Sequence, residues 1–161
     1  MTKKLSQKQS EIIKKYYIKK GENTIIEDIK PENNSEKLAE FIEDKGFPTY
    51  RKGASCGANV GEALIDYGVE GLPTSGRDGY KWADILDKNS HFIKEALQDP
   101  YSALSGGILV YDKGYSKNID RKNYGHVEIK TKNGFWSGGK QKTKAGLNIT
   151  DGFIGFAYYL K

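Results

Sequence analysis

The chain of 161 residues is 37% hydrophobic and 29% charged, a balance that excludes a disordered polymer and suits one domain with a sizeable core. Its net charge of +5, from 26 basic against 21 acidic residues, suits an anionic partner without choosing among nucleic acid, teichoic acid and the carboxylates of a bacterial wall. A single cysteine excludes an internal disulfide and a cysteine zinc cluster, and no apolar run approaches the roughly 20 residues of a membrane helix.

In chain order, residues 1–20 place Leu5, Gln9, Ile12, Ile13, Tyr16 and Tyr17 on one helical face and lysines on the other, which predicts an amphipathic helix ending at Gly21. The Lys3-Lys4 start opens no secretory leader, so the expectation is synthesis in the cytoplasm without a signal peptide. Residues 24–29 are too short to assign. Ser35 is expected to cap a second helix that runs through Leu38, Ala39, Phe41 and Ile42 to Gly46. Residues 47–53 then lead to a helix opening on Cys56, with Ala58, Val60, Ala63, Leu64 and Tyr67 at helical spacing and Gly68 as its stop. Beyond a loop punctuated by glycine and proline, Tyr80, Trp82, Ala83, Ile85 and Leu86 restore the helical period. Ser90 is expected to cap a further short helix through Phe92, Ile93, Ala96 and Leu97. His91 has no acidic or thiol partner at a catalytic or metal-ligand spacing and reads as a structural or surface histidine.

From residue 106 the period changes. Gly107–Tyr111 is an apolar β run, residues 124–132 alternate, and Asn133-Gly134 marks a tight turn into Phe135-Trp136-Ser137. Residues 152–160 supply a last strand. Helices first and antiparallel strands second predict a single α+β domain over residues 1–161, with N-terminal helices packed on a C-terminal antiparallel sheet.

The lone cysteine stands where the orphan N–H groups and positive dipole end of a helix favour a thiolate. The competing reading is a small buried packing residue. His126 shares the polar face of its strand with Glu128 and Lys130 and follows Gly125, where another backbone or a substrate can approach closely. A helix-start thiol and a strand imidazole are what nucleophilic acyl transfer requires: the imidazole takes the thiol proton and later returns it to the leaving amine.

At Ser55-Cys56-Gly57, Gly107–Tyr111 and Gly125-His126-Val127-Glu128-Ile129 the sequence resembles the papain-like NlpC and CHAP families of peptidoglycan hydrolases and the amidase effectors related to them. The resemblance runs in order and spacing over about residues 50–160. It implies a papain-like core over residues 46–161 behind an N-terminal helical extension of residues 1–45. It also implies a cofactor-free, metal-free cysteine amidohydrolase with Cys56 as nucleophile and His126 as base, cutting amide bonds in the peptide stems of peptidoglycan. Its setting would be the cell wall, reached after lysis or delivery, with a cognate immunity protein or a secretion machine as further partners and no role for nucleic acid or membrane. Gly106-Gly107 stands where these families commonly have Gly-Asp.

The third catalytic group is expected on the strand after the histidine, where Ser137 is the first candidate. Glu128, Asn148 or a bare dyad remain open. A turn centred on Asn133-Gly134 would pair residue 137 with residue 130, so that Ser137 would have to reach diagonally or be helped by a bulge at Gly138-Gly139. Glu128 lies at i+2 on the histidine's own strand, about 7 Å along it. Trp136 and Trp82, with Gly76 and Gly79 beside it, are candidate walls of a substrate groove, against the reading that both tryptophans are core. Two other functions fit the same residues. One is a Cys–His protease, deamidase or acyltransferase acting on an intracellular substrate; the other is a wall-binding module in which Cys56 is packing.

Overall fold

A computed structural model describes residues 32–53, 56–74, 77–114, 123–146 and 152–161. The helix expected over residues 1–20, residues 24–29, and Ser55, Gly76 and Asn148 lie outside the described residues.

Helix α1 (Glu32–Asp44) buries Leu38, Ala39 and Ile42 on one stripe. Ser35, expected as its cap, lies within the helix and is fully buried, with the Gly106 backbone packed against its own. Helix α2 (Cys56–Tyr67) buries Ala58, Val60, Ala63 and Leu64. Both helices end in the same way. Gly46 (φ 72°) and Gly68 (φ 111°) take the left-handed conformation that terminates the helix, and the next residue's N–H reaches back, Phe47 to the Ile42 carbonyl at 3.1 Å and Val69 to that of Leu64 at 2.9 Å. A 3₁₀ turn (Gly79–Lys81) leads into the short helix α3 (Trp82–Asp87).

Among the described residues, the strands are β1 (Phe92–Ala96), β2 (Ile108–Tyr111), β3 (His126–Lys130), β4 (Phe135–Trp136) and β5 (Phe153–Leu160). They form one sheet in the order β1-β5-β2-β3-β4, and every neighbouring pair is antiparallel. The architecture is therefore α+β.

The helix expected from Ser90 to Leu97 is instead strand β1. Its apolar residues fit either period, and pairing decides: Phe92 through Ala96 lie alongside Leu160 through Phe156, and the Lys161 N–H extends the ladder to the His91 carbonyl at 3.0 Å.

The sheet is buried on both faces. Ile108, Val110, Val127, Ile129, Trp136, Tyr158 and Leu160 pack against α1, α2 and α3. Leu109, Tyr111, Phe135, Phe153, Ala157 and Tyr159 are covered by Ala103, Leu104, Leu97 and Ala145. His126 and Glu128 alternate with Val127 and Ile129, so they belong to this second face. Among the described residues, no helix is long and apolar enough to cross a membrane.

Candidate active site

Three glycines allow the start of α2 and the start of β3 to meet. A Cβ on Gly57 would stand 1.7 Å from the Arg77 carbonyl oxygen, and one on Gly79 would stand 2.4 Å from His126 Cα. Residues 77–79 are thus wedged between the cysteine turn and the histidine backbone. Gly125 has φ 63°, and a Cβ there would lie 2.5 Å from the Tyr111 carbonyl oxygen. No side chain could be placed at these positions without moving backbone.

The hairpin register supplies the next part. Thr131 N–H donates to the Gly134 carbonyl at 2.8 Å, and Ile129 pairs with Trp136. The two loop residues are therefore Lys132 and Asn133, one position earlier than the expected Asn133-Gly134. Along β3, the Lys130 N–H points to β2, where it meets the Gly107 carbonyl, so the N–H groups of 127, 129 and 131 point to the β4 side. Strand β4 stops at Trp136. Gly138 (φ 114°) turns the chain beneath Asn59 of α2, and the Gly139 N–H donates to the Pro48 carbonyl at 3.0 Å. The Val127 N–H, left without a strand partner, donates to the Cys56 sulfur. The thiol therefore occupies the sheet edge that a longer β4 would have covered.

His126 is 4% exposed and Glu128 3%. His126 Nε2 lies 3.0 Å from Glu128 Oε1, which leaves Nδ1 for the Cys56 thiol. Glu128 is itself held. The Tyr111 hydroxyl donates to Oε2 at 2.5 Å, and the Gly146 N–H donates to both oxygens, at 3.1 Å to Oε1 and 2.9 Å to Oε2. A Cβ on Gly146 would come within 2.2 Å of His126 Cδ2, so the bare backbone there lies directly on the imidazole edge.

The electrostatics follow from these contacts. Burial pushes the Cys56 thiol up, but the hydrogen bond from His126 and its charge, then the N–H groups of Val127 and Gly57, outweigh it and hold the thiol below its ordinary range. Burial pulls His126 down. The hydrogen bonds to Cys56 and Glu128, and the charges of both, outweigh that and push the imidazole up to about 9. Both shifts favour a thiolate–imidazolium pair.

Cys56 and His126 are brought together, with Glu128 as the third group. Ser137 is half-buried and, continuing the observed register, stands level with residue 128 across the hairpin. It is Glu128, the second candidate, that meets the imidazole, because two long side chains on one face converge over the i,i+2 spacing that separates their backbones. Trp82 and Trp136 are 0% and 1% exposed and form core, not groove walls: Trp82 lies under Gly57 and Gly61, and Trp136 packs edge-on against Tyr50. His91 is exposed beside β1, at the edge of the sheet opposite β4. Sequence reasoning missed Tyr111 and Gly146. The available signal for Tyr111 was a hydroxyl-bearing aromatic closing an otherwise aliphatic β run. Among the described residues, no three His, Cys, Asp or Glu side chains are grouped to share a metal ion.

Comparison of the chain with family models, with curated proteins and with solved structures returned no match.

Proposed function

We propose that the chain is a cysteine amidohydrolase of papain-like type that cleaves amide bonds in the peptide stems of bacterial peptidoglycan. The observation that carries the proposal is the Cys56–His126–Glu128 arrangement, in which a half-buried helix-start thiol is hydrogen-bonded to a buried imidazole fixed by a carboxylate. The choice of wall peptides rests on the resemblance of residues 50–160 to NlpC- and CHAP-type hydrolases and is consistent with the excess of basic residues.

In this reading the Cys56 thiolate attacks the amide carbonyl carbon, and the oxygen takes up negative charge near the positive end of α2. The C–N bond then breaks as His126 Nδ1 gives its proton to the departing nitrogen, leaving a thioester on Cys56. Water adds to the thioester and passes a proton back to Nδ1. The C–S bond breaks, and the acid product and the thiolate–imidazolium pair are left. Throughout, Glu128 keeps the imidazole in the tautomer and orientation that face the sulfur.

Purified protein incubated with peptidoglycan fragments, followed by mass spectrometry of the products, tests the proposal. The expected result is a new carboxyl and a new amine at one stem-peptide bond, absent with Cys56→Ala. Intact stems with the wild-type protein, or equal cleavage by Cys56→Ala, would overturn it.

A further inference from the structure

We infer that Tyr111 is a positioning residue of this site, a fourth member that acts on the imidazole through Glu128. The inference rests on the Cys56–His126 reading above and extends it. Tyr111 is the last residue of β2 and pairs directly with His126, so its ring rises on the same face as the histidine, with centroids 5.5 Å apart. Phe153 holds the ring from the other side at 5.4 Å. This packing aims the hydroxyl at Glu128 Oε2, at 2.5 Å, inside a part of the fold where Tyr111 is fully buried.

A carboxylate on a long side chain can rotate. Glu128 must keep Oε1 in line with His126 Nε2, and two donors fix it: the Gly146 N–H bridges both oxygens and the Tyr111 hydroxyl takes the outer one. A hydrogen bond to an ionised acceptor is about twice as strong as a neutral one, so the hydroxyl is a substantial part of what orients the carboxylate. Phenylalanine would fill the same space without burying a hydroxyl, so what tyrosine adds here is the bond to Glu128.

Among the described residues, groups that could titrate or carry charge around the imidazole are few. Cys56 faces it from α2, Glu128 from β3 and Tyr111 from β2. Residue 146 offers backbone only, as does Gly79. Tyr80 lies against Gly125, with the Lys113 ammonium 4.7 Å and the Lys81 ammonium 5.8 Å from its ring centre. Lys130, next along that face of β3, is bonded to the Thr131 carbonyl.

The test uses the whole chain and needs no substrate: the rate of Cys56 alkylation by iodoacetamide is followed against pH. Rapid alkylation of the wild type on the acid side of an ordinary thiol establishes the ion pair; an ordinary thiol profile would overturn the Cys–His reading itself, and Tyr111's role with it. In Tyr111→Phe the acid limb should move upward by about half a unit to one unit, because a less firmly held Glu128 lets the imidazolium turn from the sulfur and weakens the hydrogen bond that keeps the thiol acidic. In a Glu128→Gln background the same change should add nothing. An unmoved limb beside an activated wild type would overturn the role of Tyr111 alone, as would an equal shift in both backgrounds. Placing 4-aminophenylalanine at 111 restores a donor of similar shape and should bring the limb back toward the wild type. That variant also carries the test should Tyr111→Phe not fold, and a limb no closer to the wild type than that of Glu128→Gln would overturn the inference.

Discussion

Glu128→Gln separates the charge of the third group from its shape. A charge-assisted hydrogen bond contributes about 1.5–3 kcal/mol and a neutral one about 0.5–1.5. Exchanging carboxylate for amide 3.0 Å from His126 Nε2 therefore weakens support of the imidazolium by about 1–2 kcal/mol, close to one pKa unit. The surroundings add a second cost, because every partner of Glu128 is a donor. An amide NH₂ turned toward His126 forces the proton onto Nδ1, where the imidazole can no longer accept from the thiol. Turned toward Tyr111, the NH₂ reverses the hydroxyl and still meets the Gly146 N–H. A buried mismatch of this kind costs about 1–3 kcal/mol, and each kcal/mol lowers the melting temperature of a chain this size by about 2–4 °C. The assay is kcat/KM on stem-peptide fragments across pH, beside a thermal melt. The expected result is a fall of about 10- to 100-fold in rate, less than the roughly 100- to 10,000-fold that a general acid–base group itself contributes, with the alkaline limb displaced downward and a lower melting temperature. A rate within about twofold of the wild type, together with a larger loss in Ser137→Ala, would return the third role to Ser137 and refute the argument.

Other outcomes follow from the same contacts. His126 is raised to about 9, so its imidazolium is present below that pH and is lost as pH rises through it; the Cys56 thiolate is lost as pH falls through its lowered value. Activity should therefore fall on the alkaline side near 9, and a wild-type alkaline limb at 7 or below would contradict the raised imidazole. Gly57→Ala sets a methyl 1.7 Å from the Arg77 carbonyl and should destabilise the fold by about 3 kcal/mol or more, read by thermal or denaturant melting, with an unchanged melt refuting the wedge.

Much of this arrangement was legible where one residue type forces one conformation. The cysteine helix ends where Gly68 predicts, and the histidine strand runs through the alternating stretch that predicts it. Elsewhere the sequence admits two answers that only pairing resolves. The apolar set at 92, 93, 96 and 97 suits a helix or a strand, and the eight residues of β5 make it a strand. The hairpin turn was read one residue late because Asn-Gly suits the centre of a tight turn, whereas here Gly134 follows the centre. Its missing side chain admits the Lys142 carbonyl, which would lie 2.2 Å from a Cβ. That shift places Ser137 level with Glu128 instead of Lys130. Glu128 ranks behind Ser137 on backbone spacing alone, which ignores the reach of a glutamate and an imidazole leaning together. Burial of both tryptophans is a property of the assembled core and has no local signature.

The position of the thiol explains why β4 is so short. An exposed strand edge is a liability in most sheets because its N–H groups seek a partner. Here the edge beyond Trp136 is left open by Gly138 and Gly139, whose positive φ values carry the chain away to Asn59 and Pro48. The N–H so released is spent on sulfur. Had β4 continued for two more residues, the carbonyl of residue 138 would have taken the Val127 N–H, and the cysteine would have lost a backbone donor that helps hold it below the ordinary thiol range. The same glycines that look like a loop in the sequence therefore make room for the thiol. Fold and chemistry meet at one hydrogen-bond donor, which the sheet would otherwise have used for itself.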